Sequence, residues 1–231
     1  MSYVLHYAPD NASLVVRLVL EELRQPYRIA LVDRSVSAQH GAAFKHLNPV
    51  GRIPALETPD GPLFETAAIC LWLADRHRAV LVLSPELTDP ARGAFLSWVF
   101  YLSNTVHAEM RNLFYPSQIA GPDQTQQSVL SQQVRASLTK HFDLLDTRFT
   151  PSDKALTIRE LYLAVLLRWP ALYPVDADRS WFDLARWPNL HSLAERFEMR
   201  DSVQAAACAE GLGSKPFSNP QPASPPEGSA L

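Results

Sequence analysis

The residues best placed to do chemistry lie between Asn48 and Thr66. They read Asn-Pro-Val-Gly-Arg-Ile-Pro-Ala-Leu, then Asp60-Gly61, then Phe64-Glu65-Thr66-Ala67-Ala68-Ile69. The proline ring of the Ile53-Pro54 step pushes Ile53 into an extended conformation and removes one backbone donor. Thr66 stands where an apolar helical pattern begins, carried by Ala67, Ala68, Ile69, Leu71, Trp72 and Leu73. Free N–H groups and the positive dipole end of such a helix attract a carboxylate. Glu65 beside it has the opposite sign and suits an ammonium group. A ligand with a free amino-acid end satisfies both.

The elements that must position these residues are readable around them. Tyr3 to Tyr7 alternates and is rich in β-formers, which predicts a strand. Ala8-Pro9-Asp10-Asn11 breaks it, and Ser13 to Leu23 predicts a helix apolar nearly all round, with Asp10 or Asn11 as N-cap. Gln25-Pro26 ends that helix, and Tyr27 to Val32 is a second strand, giving a βαβ unit with a parallel pair. Ser35 to Phe44 is polar and predicts a loop with a short helix. Ala55 to Thr58 and the strand closed by Phe64 form a hairpin around Asp60-Gly61, followed by the helix from Thr66. The order β-α-β-(α)-β-β-α is thioredoxin-like and ends near Leu81, with 82–89 as linker.

From Pro90 to residue 213 the pattern is all-helical. Ala91 to Asn112 and Thr125 to Phe149 predict two long amphipathic helices. Thr157-Ile-Arg-Glu160 has capping-box spacing ahead of Leu161 to Trp169, an apolar helix that Pro170 should stop and that should sit at the centre of the second domain. Asn189 to Arg196 and Asp201 to Glu210 predict two shorter helices. Residues 214–231 hold five prolines, four serines and one aromatic, Phe217. Such a composition buries too little surface to offset ordering entropy, so a mobile tail is expected.

Composition excludes several functions. The chain has 231 residues, 47% of them hydrophobic and 19% charged, with a net charge of -3. That balance, with no long Lys/Arg run, argues against nucleic acid as the main partner. No apolar run reaches transmembrane length and no signal peptide is evident, so neither a membrane nor export is expected. The two cysteines, Cys70 and Cys208, are far apart, and His6, His40 and His141 make no metal spacing, so no metal is expected. Cys70 lies among apolar residues as a small core side chain, and a reducing cytoplasmic setting fits.

The motif Asn48-Pro49-Val50-Gly51-Arg52-Ile53-Pro54-Ala55-Leu56, with Glu65-Thr66-Ala67-Ala68-Ile69, resembles the glutathione-binding half of the glutathione S-transferases. The resemblance extends over roughly residues 1 to 213 and is strongest to the bacterial beta class. It rests there on Trp98 to Pro116 around His107, on Leu161 to Trp169, and on Val203 to Leu212. It implies an α/β thioredoxin-like domain followed by an all-α domain. It also implies a cis peptide before Pro54, and glutathione as co-substrate held by Arg52, Ile53, Pro54, Glu65, Thr66 and His107. The family is dimeric, so a homodimer is expected.

Glutathione transfer needs a thiolate, and a free thiol titrates near ~8.5. A hydroxyl donor, a positive charge or a helix N-terminus lowers that value. All three point to the first loop, Tyr7 to Ser13. The beta class carries Cys-Ser here and this chain has Ala12-Ser13, which argues against a mixed-disulfide mechanism. Ser13 is placed first among the activating groups, Asn11 second and Tyr7 third. Asp10, as an anion, would oppose a thiolate. Arg34 is the nearest basic candidate for anchoring glutathione beyond the second strand. His107, Tyr101 and Tyr115 are expected to line an apolar pocket for small hydrophobic electrophiles between the domains. The expected function is conjugation of glutathione to such electrophiles in detoxification, with peroxide reduction as a further activity. The alternative is a weak or inactive transferase fold kept as a binding or scaffold protein.

Overall fold

The computed structural model describes residues 3–150 and 156–230. Four strands form one sheet in the order β2-β1-β3-β4. They are β1 (Tyr3–Tyr7), β2 (Tyr27–Leu31), β3 (Ala55–Thr58) and β4 (Gly61–Phe64). β1 pairs parallel with β2, with Tyr7 opposite Leu31. β3 runs antiparallel to β1, with His6 opposite Ala55, and β4 antiparallel to β3, with Ala55 opposite Phe64. Gly61 makes the hairpin turn with a φ of 114°, open to glycine at no steric cost.

Alternation along β1 sorts its side chains. Tyr3, Leu5 and Tyr7 face helices α1 (Ser13–Glu22) and α3 (Thr66–Arg76), while His6 faces Phe44 on α2 (Ala42–Leu47). α1 is buried from Ser13 to Leu20, as its all-round apolar pattern requires. Its N-cap differs from expectation. Ala12 takes that place with no side-chain cap. Asp10 sits instead in a left-handed conformation at φ 49° with its carboxylate turned away to α8.

The helical part departs from the sequence reading in two places. The predicted single helix over 91–112 is α4 (Arg92–Phe100), a π-helical stretch (Tyr101–Val106) and α5 (His107–Phe114). The stretch contains Ser103-Asn104-Thr105, short polar residues with low helix preference, and the Ser103 hydroxyl donates to the Asn104 Oδ1 at 2.9 Å. After α6 (Ser117–Ala120), α7 (Gln124–Arg148) starts at Asp123, whose carboxylate accepts from the N–H groups of Thr125 and Gln126. The second departure is in α8 (Ile158–Leu172), which passes through Pro170. In the last turn proline costs one hydrogen bond and its fixed φ still fits a helix. The break falls at Tyr173-Pro174, where α8 is capped. The Thr157–Glu160 capping box opens α8, and every residue from Ile158 to Pro170 is buried.

α9 (Pro188–Glu198) and α10 (Asp201–Glu210) complete the helices. The connection from α3 to α4 is firmly held. Leu83 and Ser84 are buried, and Arg92 forks onto Asp75 at 2.6 and 2.8 Å.

Residues 214–230 are not a mobile tail, which corrects the expectation from composition; Leu231 lies outside the described residues. Phe217 is 1% exposed. Glu198 receives the Phe217 and Ser218 N–H groups and the Ser218 hydroxyl at 2.6–2.7 Å. Arg168 donates to the carbonyls of Pro216 and Gln221. The Ser224 N–H reaches the Gly211 carbonyl at 2.9 Å. One buried aromatic and a set of backbone bonds hold a proline-rich segment whose own entropy loss is already reduced by its rings.

Candidate functional site

Strand register alone assembles the site. Extending the pairs by one residue puts Tyr7 beside Pro54, and Pro54 beside Glu65. Leu31, Tyr7, Pro54 and Glu65 therefore form one row at one end of the sheet. α1 and α3 both start there, so their free N–H groups point into the same region. The Ile53-Pro54 peptide is cis. The bend before it is fixed by Asn48, whose Nδ2 donates to the Arg52 carbonyl at 2.5 Å and whose Oδ1 accepts the Val50 N–H.

Glu65 caps α3 with φ 69° and ψ 114°, an uncommon conformation for a residue with a side chain. Such strain persists only when the surroundings hold it, and it concentrates at ligand clamps. The Glu65 carboxylate is exposed. Thr66 next to it is buried and lies against Tyr162 of α8, whose phenol is pushed up chiefly by burial. His107 Nδ1 is 2.8 Å from the Tyr162 hydroxyl, and its ring lies 5.0 Å from that of Trp169. Burial, followed by the charge of Arg111, lowers His107 to about 4. It is therefore a neutral side chain at pH 7, oriented by an aromatic wall toward the start of α3, and no cation for glutathione.

The first loop is arranged differently from the sequence expectation. The Ser13 hydroxyl is 0% exposed and donates to the Ala8 carbonyl at 3.0 Å, so it is spent on holding the turn. The Tyr7 hydroxyl donates to Glu227 Oε1 at 2.5 Å. Burial and then that carboxylate raise the Tyr7 phenol. The Asp10 carboxylate accepts from Arg168 Nε (2.8 Å) and Nη2 (2.9 Å), Trp169 Nε1 (3.0 Å) and the Tyr173 hydroxyl (2.6 Å). It is thus a buried anchor. Asn11 is half-buried, and its Oδ1 accepts the Ala12 N–H at 2.8 Å. The Asn11 Nδ2 has no hydrogen-bond partner among the described residues. Among the polar side chains of this loop, Asn11 alone keeps a donor uncommitted.

The expected pocket of Tyr101, His107 and Tyr115 does not form. Tyr101 points to α7, with its hydroxyl 2.5 Å from His141 Nδ1, while His107 points to α8. Tyr115 accepts from Arg34 Nη2 at 2.8 Å, beyond the end of β2. Six residues apart, Tyr101 and His107 diverge by about 120° even on a regular helix, so one pocket wall could not hold both. Arg34 does reach this end of the sheet, and its other arm donates to the Ala230 carbonyl at 2.6 Å. Missed in the sequence were the Asp10–Arg168 anchor and the return of Glu227 to Tyr7. The only signal for the first was a charged pair, Asp10 and Arg168, set among apolar segments.

A thioredoxin-like sheet with this clamp row, closed by a helical domain, defines the glutathione transferase fold. Residues 12–76 match the family model described as the glutathione S-transferase N-terminal domain. A glutathione S-transferase of Escherichia coli is 28% identical over 210 residues, covering 90% of this chain and 98% of that protein. A glutathione transferase homologue from Sulfitobacter, solved with bound glutathione, superposes with a TM-score of 0.78 at 25% identity over 90% of this chain and 97% of that one. A beta-class glutathione S-transferase from Sphingomonas chungbukensis gives a TM-score of 0.73 at 26% identity over 89% and 98%. Residues 12–76 thus match the glutathione S-transferase N-terminal domain, and the chain as a whole has the fold of glutathione S-transferases. Among the described residues no cluster fit to hold a metal occurs, and no helix is long and apolar enough to cross a membrane.

Proposed function

We propose that the protein conjugates glutathione to small electrophiles, and that the observation carrying this is the strained, exposed Glu65 in line with cis-Pro54. Glu65 holds the ammonium of the γ-glutamyl end, and Thr66 with the start of α3 holds its carboxylate. The Ile53 backbone pairs with the cysteinyl part, as an extended residue beside Pro54 offers both a donor and an acceptor. That pairing lays the sulfur toward the first loop.

There Asn11 Nδ2–H, aided by the dipole of α1, stabilises the thiolate. The sulfur lone pair attacks the electrophilic carbon; a C–S bond forms and the bond to the leaving group breaks, releasing halide from an organic halide. With an epoxide, the opened oxygen takes a proton from water. Arg34 and Arg52 supply positive charge at the glycine end. Assembly as a homodimer, and residence in the cytoplasm, complete the reading.

Calorimetric titration with glutathione tests it. The unmodified protein is expected to bind saturably, and Glu65→Ala to weaken binding by about 2 kcal/mol, the cost of losing one charge-assisted bond. Absence of binding at millimolar glutathione overturns the proposal.

A further inference from the structure

Two arginines share one tyrosine at the edge of the clamp row, and a third lies close by. Arg34 Nη2 donates to the Tyr115 hydroxyl at 2.8 Å. The Arg111 guanidinium carbon lies 5.6 Å from the centre of the same ring. Arg111 is half-buried, and its Nη2 donates to the neutral Gln118 Oε1 at 2.5 Å. Arg52 is exposed in the bend before cis-Pro54, and burial followed by its charge lowers Arg111, with the Tyr115 phenol acting the other way. Among the described residues, none of the three pairs with a carboxylate.

Such a grouping is costly as it stands. Like charges raise one another's energy, most of all where water is partly excluded. A guanidinium carries five donors in a rigid fork and stays protonated throughout. Arg111 uses one of these donors and Arg34 two, so most of the fork capacity is open. Anions that enter offset the repulsion, because bonds from guanidinium to carboxylate are paired and about twice as strong as neutral ones.

The three arginines come from different places. Arg52 adjoins Ile53 and Arg34 lies just beyond β2, and these two suffice for the single carboxylate at the glycine end of glutathione. Arg111 comes from the helical domain. It stands four residues after His107 on α5, on the same face, and its charge reaches that ring. His107 bonds Tyr162, which lies against Thr66. The face of α5 that bears Arg111 therefore looks onto the row, with Arg52 on one side and Thr66 on the other.

Resting on the transferase reading above, we infer that Arg111 is a specificity-determining residue that selects electrophiles carrying a carboxylate. The thiolate adds at the carbon bearing a halide, the C–S bond forms and halide leaves. The substrate carboxylate changes no bond; it lies on the guanidinium and orients the ring for attack.

The test measures kcat/KM for chlorodinitrobenzoate and for its uncharged amide, each divided by its uncatalysed rate with glutathione. Arg111→Met should lower the acid-to-amide ratio by about 10–100-fold, mainly through KM for the acid, the range for losing a bond between charged groups. Arg111→Lys should recover part of it, keeping the charge and losing the fork. Added salt should lower the ratio in the unmodified chain, which tests the same claim with no substitution. An unchanged ratio in Arg111→Met, or a ratio indifferent to salt in the unmodified chain, overturns the inference. So does a variant that loses glutathione affinity while keeping the ratio, since Arg111 would then serve the glycine end. A chain that binds glutathione but turns over neither compound overturns it as well. If the unmodified chain binds no glutathione, the transferase reading fails first, and this inference with it.

Discussion

The two halves of the clamp row differ in how far their polar groups are already engaged. At the α3 end, Glu65 is exposed and its backbone is strained. At the α1 end, Ser13, Tyr7 and Asp10 each have a protein partner, and Asp10 has three. A ligand group must find unspent hydrogen-bonding capacity, because displacing a buried partner leaves that partner unpaired. The open half is therefore suited to binding. The engaged half gives shape to the loop and leaves Asn11 as the donor proposed to meet the sulfur.

Four substitutions or conditions would break or sharpen this contrast. Asp10→Ala carries the largest expected effect. It leaves the Arg168 guanidinium buried without its carboxylate, and unfolding by denaturant should show a loss of about 3–5 kcal/mol. A loss below about 1 kcal/mol would mean that the loop is not anchored there. Asn11→Ala should lower kcat/KM by about 10–100-fold and raise the pH at which bound glutathione ionises, read from thiolate absorbance. Thermal stability should barely change.

The pH dependence of stability addresses the aromatic wall between the halves. The folded state holds His107 near 4, whereas an unfolded histidine titrates near ~6.5. The unfolded chain thus binds the proton first, so stability present above pH ~6.5 declines as pH falls toward about 4. For a partly exposed ring the decline should be about 1–3 kcal/mol, and His107→Gln should flatten it in denaturant melts taken across that window. Smallest is Glu65→Gly. It removes the positive-φ strain and should raise stability by about 0.5–1 kcal/mol while glutathione affinity falls. Stability and affinity moving in the same direction would mean that the conformation of Glu65 is not kept for the ligand.

What was legible in the sequence follows the same division. The hairpin, the X-Pro step and the start of α3 are local, and residue types within 19 positions specify them, from Asn48 to Thr66. The row from Leu31 to Glu65 was not legible, because it depends on the register between strands, which only the folded sheet displays. The first loop was not legible, because its partners lie on α8, α10 and the C-terminal segment. Ser13 looked free in the sequence, and only tertiary structure shows its hydroxyl bonded to Ala8. The mobile-tail expectation failed for a related reason. Composition registers how little apolar surface residues 214–231 carry, but not that one residue, Phe217, finds a fully formed core, or that Glu198 and Arg168 hold backbone groups on either side. Pro170 misled because its effect depends on its place within the last helical turn.

The anchor of the first loop has a consequence for how the chain is made. Asp10 and Arg168 are 158 residues apart, and Tyr7 and Glu227 are 220 apart. At about 5–20 residues per second, the partner of Asp10 leaves the ribosome roughly 8–30 s after Asp10 itself. Until then the sheet can pair, but the loop that shapes its reacting end has nothing to hold it. The end of the sheet proposed to activate the thiol is thus set late in synthesis, and the proposed clamp for the amino-acid end, built from neighbouring residues, is set early.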